Sequence, residues 1–466
     1  MNSHIMFKKE SLRDVSCRTS MAGRSVFVCR GLRQWVVLFC LLSATCVWAQ
    51  SSYNMSYSQF GIGESSSPFN MPLANAMGGA IYTCQGNNFI NPFNPASYAG
   101  VEEESFVFDM ALLVQAHEMR TREQSLHDFD GSLAYLTFAF PICKWWKFSL
   151  GLMPYSDMSY ESVQTNTFPV EGSVKTVYDG NGGINRVYFG SAFHVGSHLS
   201  LGFNVNYLYG SIQRAVTYDF IGSDVSFFVD SRKQKNTRLG AFTFDFGAQY
   251  KCQIDERRAL GFGLTFQLPQ TLSVKDTSWI YTLSEGSNEA NAVIFPTSDD
   301  SVYESTMKQP MKIGFGISYE YDNRWLLAVD FTYAQWNGLK YAEGLSKPIF
   351  RDDESIDYCG NYRLSIGGGW LGDKGASNYW RRIGVTGGVY YDRGSLGLLL
   401  PTGNYKLDEY GVGVGCTFPM RKGRSRLQVS LSYSSFGDIN LLRSNYFVVG
   451  ISFGSCESWF VKRKYN

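Results

Sequence analysis

The feature that most constrains this chain is an alternation of apolar and small polar residues, which recurs from about residue 105 to residue 453. Successive side chains of a β-strand point to opposite faces of the sheet, so a period of two predicts strands with one apolar face. Over 427–434, leucine, valine and tyrosine alternate with glutamine and serine. Over 449–453, valine, isoleucine and phenylalanine alternate with glycine and serine. The fold class is therefore predicted to be all-β.

The polar face of this pattern favours a membrane barrel over a soluble sandwich. It consists mainly of Gly, Ser, Thr and Asn, whereas a soluble sheet exposes charged and long side chains. Only 18% of the residues are charged and 44% are hydrophobic, with a formal net charge of +1. That composition argues against a disordered chain and against a nucleic-acid binder. The apolar faces lack Lys and Arg, each of which would cost about 2–4 kcal/mol at the bilayer midplane.

Fourteen alternating segments can be counted, and bacterial outer-membrane barrels have an even number of strands. The connections between them are alternately long and short, which is typical of long extracellular loops and short periplasmic turns. We therefore predict a 14-stranded antiparallel transmembrane β-barrel over residues 105–453, in the cell outer membrane, with both termini in the periplasm. The segments are 105–116, 131–141, 144–156, 184–195, 198–210, 239–252, 258–268, 309–320, 324–336, 360–371, 380–391, 405–418, 424–435 and 444–453.

Residues 1–49 have the organisation of a secretory signal peptide that is removed from the mature protein. Basic residues precede an apolar run over 35–42, and small or medium residues precede a cleavage position after Ala49. Met21 is an alternative start, and Cys46 leaves a lipoprotein as an alternative. Six cysteines follow this leader without the spacing of a zinc site. We predict no metal, no cofactor and no disulfide framework.

Residues 50–104 do not alternate and are rich in Gly, Asn and Pro. Because the lumen of a 14-stranded barrel is wider than side chains alone can fill, we predict that this segment is an N-terminal hatch, or plug, inside the barrel. A mobile periplasmic tail is the alternative, although it would leave apolar side chains in water. The same side chains are candidate contacts for a hydrophobic ligand. They are Phe69, Met71, Met77, Phe89, Ile90 and Phe93.

Three further features concern the lumen and the C-terminus. Glycines at 411, 413 and 415 give one strand an inner face that the hatch backbone can approach closely. Residues 454–466 are predicted to form a periplasmic C-terminal tail. Strand parity places four charged residues on the inner face, where a polar network would hold the hatch. They are Asp245, Lys312, Asp330 and Arg363.

The order of several motifs resembles the FadL/TodX family of outer-membrane transporters for long-chain fatty acids and other hydrophobic compounds. The motif AMGGA at 76–80 is followed by NPA at 94–96 and then by fourteen strands. The runs QPMKIGFGISYEYDNRWLLAVDFTYAQW at 309–336 and YYDRGSLG at 390–397 also match the family. The resemblance covers essentially all of the chain after the leader.

The resemblance implies a route without a water-filled pore. A ligand would be captured among the extracellular loops, pass to a pocket inside the barrel, and leave through a lateral gap at a kink in the third strand. It also implies that Asn94, Pro95 and Ala96 of the hatch lie against that kink. In this chain the third strand contains Pro154, which lacks an N–H and cannot complete a central ladder. The alternative for Pro154 is the extracellular end of the strand.

The resemblance identifies no basic residue whose motif would place it to bind the carboxylate headgroup of a ligand. Four basic residues in or near the outer loops are candidates by position alone. They are Lys175, Arg186, Arg214 and Arg232.

The chain contains no GxSxG, HExxH or P-loop motif, so we predict that it is not an enzyme. The leading hypothesis is uptake of hydrophobic, fatty-acid-like small molecules by a monomer. Its expected partners are outer-membrane lipid, the hydrophobic ligand, and the barrel-assembly machinery during biogenesis, with no nucleic acid. An outer-membrane barrel that serves as a protein-secretion or assembly scaffold is the alternative. An open diffusion pore is a third hypothesis.

Overall fold

A computed structural model describes residues 55–65, 69–168, 172–221, 230–283, 293–296, 303–336, 356–400, 403–420 and 423–458. The predicted signal peptide lies outside these residues. Ser51–Asn466 cluster as one compact unit. Within the described ranges, no helix has both the length and the apolar character required to span a bilayer.

The described part of the chain is almost entirely strand. Two short α-helices, α1 (Pro72–Ala76) and α2 (Tyr379–Arg382), and two 3-10 helices, Ser56–Gln59 and Pro95–Gly100, accompany the strands. The strands are β1 (Glu64–Ser65), β2 (Ser105–Arg120), β3 (Ser125–Pro141), β4 (Trp146–Phe168), β5 (Gly172–Val195), β6 (Leu199–Ile221), β7 (Asp230–Gln253), β8 (Arg258–Gln267), β9 (Gln270–Leu283), β10 (Val293–Pro296), β11 (Tyr303–Gln309), β12 (Lys312–Tyr321), β13 (Trp325–Ala334), β14 (Ile356–Tyr358), β15 (Asn361–Trp370), β16 (Gly384–Leu400), β17 (Gly403–Met420), β18 (Ser425–Asp438) and β19 (Leu442–Ser458).

These strands form one antiparallel sheet that closes when β19 pairs with β2, with Ser458 opposite Ser105. Three wall strands are interrupted: β8 continues as β9, β10 and β11 precede β12, and β14 precedes β15. When each interrupted strand is counted once and β1 is left aside, the barrel has fourteen strands. The predicted fold class is confirmed.

The alternation predicted from the sequence corresponds to the two faces of this wall. Large apolar side chains such as Val412, Val414 and Ile451 are exposed on the outside. Small polar residues at the alternate positions, including Ser430 and Ser452, are buried on the inside. Lipid requires the apolar exterior, and the interior of a membrane barrel can be polar because it does not face lipid.

Several of the predicted long loops are wrong, because the strands continue into them. The ladder between β4 and β5 reaches Phe168 opposite Gly172 and contains most of the predicted loop 157–183. The ladder between β6 and β7 likewise contains much of 211–238. Ser, Thr, Asn and Lys occupy both faces there, so the apolar period disappears while the backbone pairing persists. The predicted tail boundary is also too early, since β19 continues through 454–458.

The wall is interrupted between its second and third strands. β3 pairs with β4 only up to Leu136 opposite Leu152, whereas β4 continues beside β5 to its end. A β-bulge at Tyr155 shifts the register between Pro154 and Ser156, and such bulges bend a strand and disrupt its ladder locally. Pro154 therefore lies inside β4, and the alternative that it marks the strand end is wrong.

Candidate functional site

The N-terminal segment, defined as residues 55–104, lies against the inner faces of strands around the barrel. At its closest approaches the wall residue is glycine, because a β-carbon there would collide with the segment. At Gly413 the collision would be with the carbonyl of Asn75, and at Gly388 with the backbone of Met77. The predicted close approach of this segment to the glycine face of β17 is confirmed.

A buried carboxylate fixes the middle of the N-terminal segment. Asp330 on β13 is 2% exposed, and its Oδ2 accepts hydrogen bonds from the backbone N–H groups of Ile81 at 2.6 Å and Tyr82 at 2.7 Å. The Tyr82 carbonyl in turn accepts from Gln249 on β7 at 2.8 Å. Strand parity had predicted that Asp330 holds the segment, and these bonds agree with that prediction.

A buried ion pair fixes a second point near the β2 end of the N-terminal segment. The Arg426 Nη2 donates to Asp109 Oδ2 at 2.9 Å, and both side chains are almost fully buried. The same guanidinium donates to the carbonyl of Asn88 and lies 4.9 Å from the ring centroid of Phe89. One arginine of the wall thus contacts both the backbone and the side chains of the segment.

Asn94 and Pro95 meet different strands from those implied by the family resemblance. Asn94 is fully buried, donates to the carbonyls of Tyr82 at 2.7 Å and Ala248 at 3.4 Å, and accepts from Ala96 N–H. Pro95 lies against Gly202 of β6. The bulge beside Pro154 is instead met by residues 62–65, since β1 pairs with Ser156 and Asp157 of β4. The hydrogen bonds and closest approaches that Asn94 and Pro95 make to the wall are thus to β6 and β7.

A cavity of about 710 Å³ lies between the N-terminal segment and the wall. Its apolar lining includes Phe60, Ile62 and Leu133, and it reaches the β4 bulge at Pro154 and Tyr155. The cavity therefore extends from the interior to the place where the ladder between β3 and β4 is interrupted. Its charged lining residues in the described part of the chain are Glu64, Asp130, Asp157, Arg363, Asp392 and Glu409.

Only Phe69 of the six predicted ligand contacts lines this cavity. Its ring stacks on Tyr390 at 4.4 Å and lies under the Arg363 guanidinium at 4.8 Å. The other five side chains pack in or against the core between the segment and the wall. They are Met71, Met77, Phe89, Ile90 and Phe93.

Sequence reasoning missed much of the cavity lining. Tyr390 lies between the exposed residues Val389 and Tyr391, and Glu409 precedes the exposed Tyr410. The alternation along β16 and β17 therefore contained the signal for both. Glu64 lies in the irregular N-terminal segment, where no period shows which way a side chain points. Tyr155 is the extra residue of a bulge, which breaks the parity on which the prediction rests.

Three of the four basic residues that were headgroup candidates have acceptors within the barrel. Arg186 lies 3.8 Å from Asp245, Arg232 lies 2.9 Å from Asp179, and Arg214 donates to the carbonyl of Gly61. None of the four is among the described residues that line the cavity. Position in the chain therefore did not identify a carboxylate-binding site.

Glu64 has an unusual environment for a carboxylate. Burial raises the pKa of Glu64 from 4.5 to about 7, a hydrogen bond from the Tyr446 hydroxyl at 3.0 Å opposes the rise, and repulsion from Glu409 and Asp157 adds to it. Its Oε1 atom is buried without a hydrogen-bond partner among the described residues. A carboxyl of this kind changes charge near neutral pH.

The described residues include no group of three His, Cys, Asp or Glu side chains that could hold a metal ion. Cys84, Cys143, Cys252, Cys359, Cys416 and Cys456 are free thiols.

Comparison with solved structures shows the same fold in three other proteins, two of which are described as toluene transporters. The toluene transporter TbuX of Ralstonia pickettii has a TM-score of 0.52 at 14% identity, with 82% of this chain and 97% of that chain covered. A FadL homologue of Pseudomonas aeruginosa has a TM-score of 0.50 at 14% identity, with 86% and 100% covered. The toluene transporter TodX of Pseudomonas putida has a TM-score of 0.50 at 14% identity, with 88% and 100% covered.

The predicted resemblance to the FadL/TodX family is thereby confirmed at the level of the fold. Two of the similar structures are described as toluene transporters and one as a FadL homologue. No curated protein matches the chain by sequence. A family model described as BamG matches residues 32–466.

Proposed function

The chain belongs to the BamG family, and for this member with a FadL/TodX-type barrel we propose uptake of hydrophobic small molecules across the outer membrane. The observation that carries the proposal is the cavity of about 710 Å³, which reaches the interrupted ladder between β3 and β4. Ligand cavities of this size with mixed apolar and polar lining are typical of small-molecule sites. Two of the proteins with this fold are described as toluene transporters.

In this proposal the N-terminal segment is a hatch that keeps the lumen closed to water. Its support is the number of independent wall contacts that hold its backbone, among them Asp330, Gln249 and Arg426. Asn94, Pro95 and Ala96 would fix the hatch against β6 and β7, where Gly202 and Gly247 leave room for them. Phe69 would be the hatch residue that contacts the ligand, because it alone of the predicted contacts lines the cavity.

The route we propose leads from the cavity through the wall at the third strand. Beyond Leu152, β4 lacks described ladder partners on β3, and the bulge at Tyr155 bends it at that point. Pro154 would maintain this state, because it offers no N–H to a neighbouring strand. Residues 62–65 would be the part of the hatch that covers the opening, since β1 pairs with β4 there.

Deletion of Tyr155 tests this route directly. Without the extra residue the register of β4 against β5 becomes regular, so the bend is expected to relax and the opening to narrow. We expect liposomes containing the unaltered protein to admit a fluorescent hydrophobic probe faster than empty liposomes, and the deletion to abolish most of that difference. Gly387→Ala on β16, where an added β-carbon would make only ordinary van der Waals contacts, is the matched control. Equal rates for empty and protein-containing liposomes would contradict uptake itself.

Orientation and oligomeric state form part of the same proposal. Both termini would lie in the periplasm, because β2 begins and β19 ends at one end of the barrel, whereas the long extensions of β4 to β7 project from the opposite end. The protein would act as a monomer, since one chain closes the wall without a strand from a partner. Protease accessibility of tags at each terminus in intact cells, and mass measurement in nanodiscs, test these two statements.

A second candidate function is a role as a subunit of an outer-membrane protein-assembly complex, which the BamG family description favours. A barrel whose lumen is occupied by its own chain could serve as a scaffold without transporting anything. Depletion of the protein in its host would then lower the amount of other folded outer-membrane barrels, and affinity purification would recover the barrel-assembly machinery in stoichiometric amounts. Normal barrel levels after depletion would contradict this role.

A further inference from the structure

The charges around the cavity are strongly unbalanced. Five of the six charged residues that line it in the described part of the chain are carboxylates, and the exception is Arg363. Arg363 donates to Asp392 Oδ2 from both Nε and Nη2 at 2.6 Å, so its charge is matched by that neighbour. Both donors meet the same oxygen of Asp392, and with one arginine against five carboxylates the lining keeps an excess of four negative groups (5 − 1 = 4).

The other four carboxylates form a continuous acidic path. Asp130 on β3 and Asp157 on β4 stand on the two sides of the interrupted ladder, close enough to repel each other. Asp157 and Glu409 each also repel Glu64. The path therefore begins at the opening in the wall and ends inside the cavity.

The local partners of the inner carboxylates are neutral hydroxyls. Glu64 accepts from the Tyr446 hydroxyl at 3.0 Å, and Glu409 accepts from the Tyr390 hydroxyl at 2.6 Å. Neither has an ion pair among the described residues, and Oε1 of Glu64 has no hydrogen-bond partner there. Arg363 attracts both Asp392 and Glu409, but one cation cannot balance all the carboxylates of the lining. A cation that enters the cavity would therefore be stabilised and an anion would be repelled.

We propose that the cavity and the wall opening select amphiphiles with a cationic or uncharged polar group, and disfavour those with a carboxylate. This inference rests on the proposed uptake function and names its substrate class. It differs from the fatty-acid-like ligand that the family resemblance implied. The apolar lining, including Phe60, Phe69 and Leu133, would hold the hydrocarbon part of the ligand.

Three ligands with the same hydrocarbon chain and different head groups test the selectivity. Dodecylamine, dodecanol and dodecanoate are titrated below their micelle concentrations against the full-length protein in nanodiscs of uncharged lipid, with empty nanodiscs subtracted. We expect dodecylamine to bind about tenfold or more tighter than dodecanoate, which corresponds to about 1.4 kcal/mol. Dodecanol should lie between them.

Neutral variants identify the groups responsible. Glu64→Gln, Glu409→Gln and the double variant are expected to reduce the preference for the amine stepwise, because each keeps its shape and its tyrosine partner while losing charge. Glu304→Gln on β11 removes the same charge from an exposed position and should leave the preference unchanged. Asp130→Asn and Asp157→Asn should speed entry of dodecanoate into liposomes, because both flank the opening.

The outcomes separate the inference from the function on which it rests. Dodecanoate that binds as tightly as dodecylamine overturns the inference and leaves uptake standing. A preference for the amine that survives in the double variant also overturns it, since other groups would then be responsible. If none of the three ligands binds above empty nanodiscs, the uptake function fails and the inference fails with it.

Discussion

A single side chain of the wall, Asp330, accepts two backbone N–H groups of the N-terminal segment. Asp330→Ala would leave both donors buried and unpaired, at a cost of about 1–3 kcal/mol for each. We expect the amide hydrogens of Ile81 and Tyr82 to exchange much faster in this variant, with a lower unfolding temperature. Asp330→Asn keeps one acceptor oxygen, so its exchange rates and unfolding temperature should lie between those of the unaltered protein and Asp330→Ala. Unchanged exchange in Asp330→Ala would show that the segment is held elsewhere.

Glu64 makes the docking of residues 62–65 depend on pH. Its folded pKa of about 7 exceeds the unfolded value of 4.5, so the docked state binds more protons between these values. Its contribution to docking is therefore fully present below about pH 4.5 and is lost as the pH rises to about 7. Protease cleavage within the segment is expected to be faster at pH 8 than at pH 5.

The groups that face Glu64 define the control for this pH dependence. They are Tyr446 on β19, Glu409 on β17, Asp157 on β4 and Tyr57 in the first 3-10 helix. Glu64→Gln keeps the acceptor for Tyr446 and cannot ionise, so its cleavage rate should vary little over the same interval. If Glu64→Gln kept the full pH dependence of cleavage, one of the neighbouring carboxylates would be responsible for it.

Strand β16 carries two adjacent glycines with opposite environments. Gly388 faces inward and a β-carbon there would collide with the backbone of Met77, whereas the nearest atom to a β-carbon at Gly387 would be 3.6 Å away. Gly388→Ala should therefore displace the segment around α1 and cost about 1–3 kcal/mol, while Gly387→Ala should be nearly neutral. Thermal unfolding of the two variants measures the difference. Equal stabilities would mean that the segment adjusts without cost.

The sequence predicted strands well where lipid imposes a pattern. An apolar exterior and a polar interior force alternation, so the wall around Val412 and Ser430 could be recognised from residues alone. The strand extension through 157–168 could not, because above the membrane both faces tolerate polar residues. Within the site, parity placed Asp330 and Arg363 in the lumen. Their partners Ile81 and Asp392 could not be predicted, since the first depends on the path of an irregular segment and the second on the register between β15 and β16.

The whole molecule is expected to conduct ions much better when its N-terminal segment is removed. In the full chain, side chains from several wall strands hydrogen-bond to the backbone of the N-terminal segment. Deletion of 55–100 would leave a 14-stranded barrel whose inner face is rich in glycine, and a barrel of this width cannot be filled by wall side chains alone. Planar-bilayer recordings should show small conductance for the full chain and large conductance for the deletion, with heat-dependent gel mobility as the check that both are folded. Large conductance in the full chain would favour an open pore.

The wall closes between β2 and β19. This closure constrains the order in which the strands assemble during folding. The two strands that complete the ring are the first and last wall strands along the chain, so their contact has a high entropic cost until the intervening strands have assembled. The N-terminal segment precedes β2 and is enclosed by the ring. It must therefore be in place, or enter through an open end, as the sheet curls. The N-terminal segment, which is synthesised before any wall strand, is thus positioned to act as a template around which β19 finally pairs with β2.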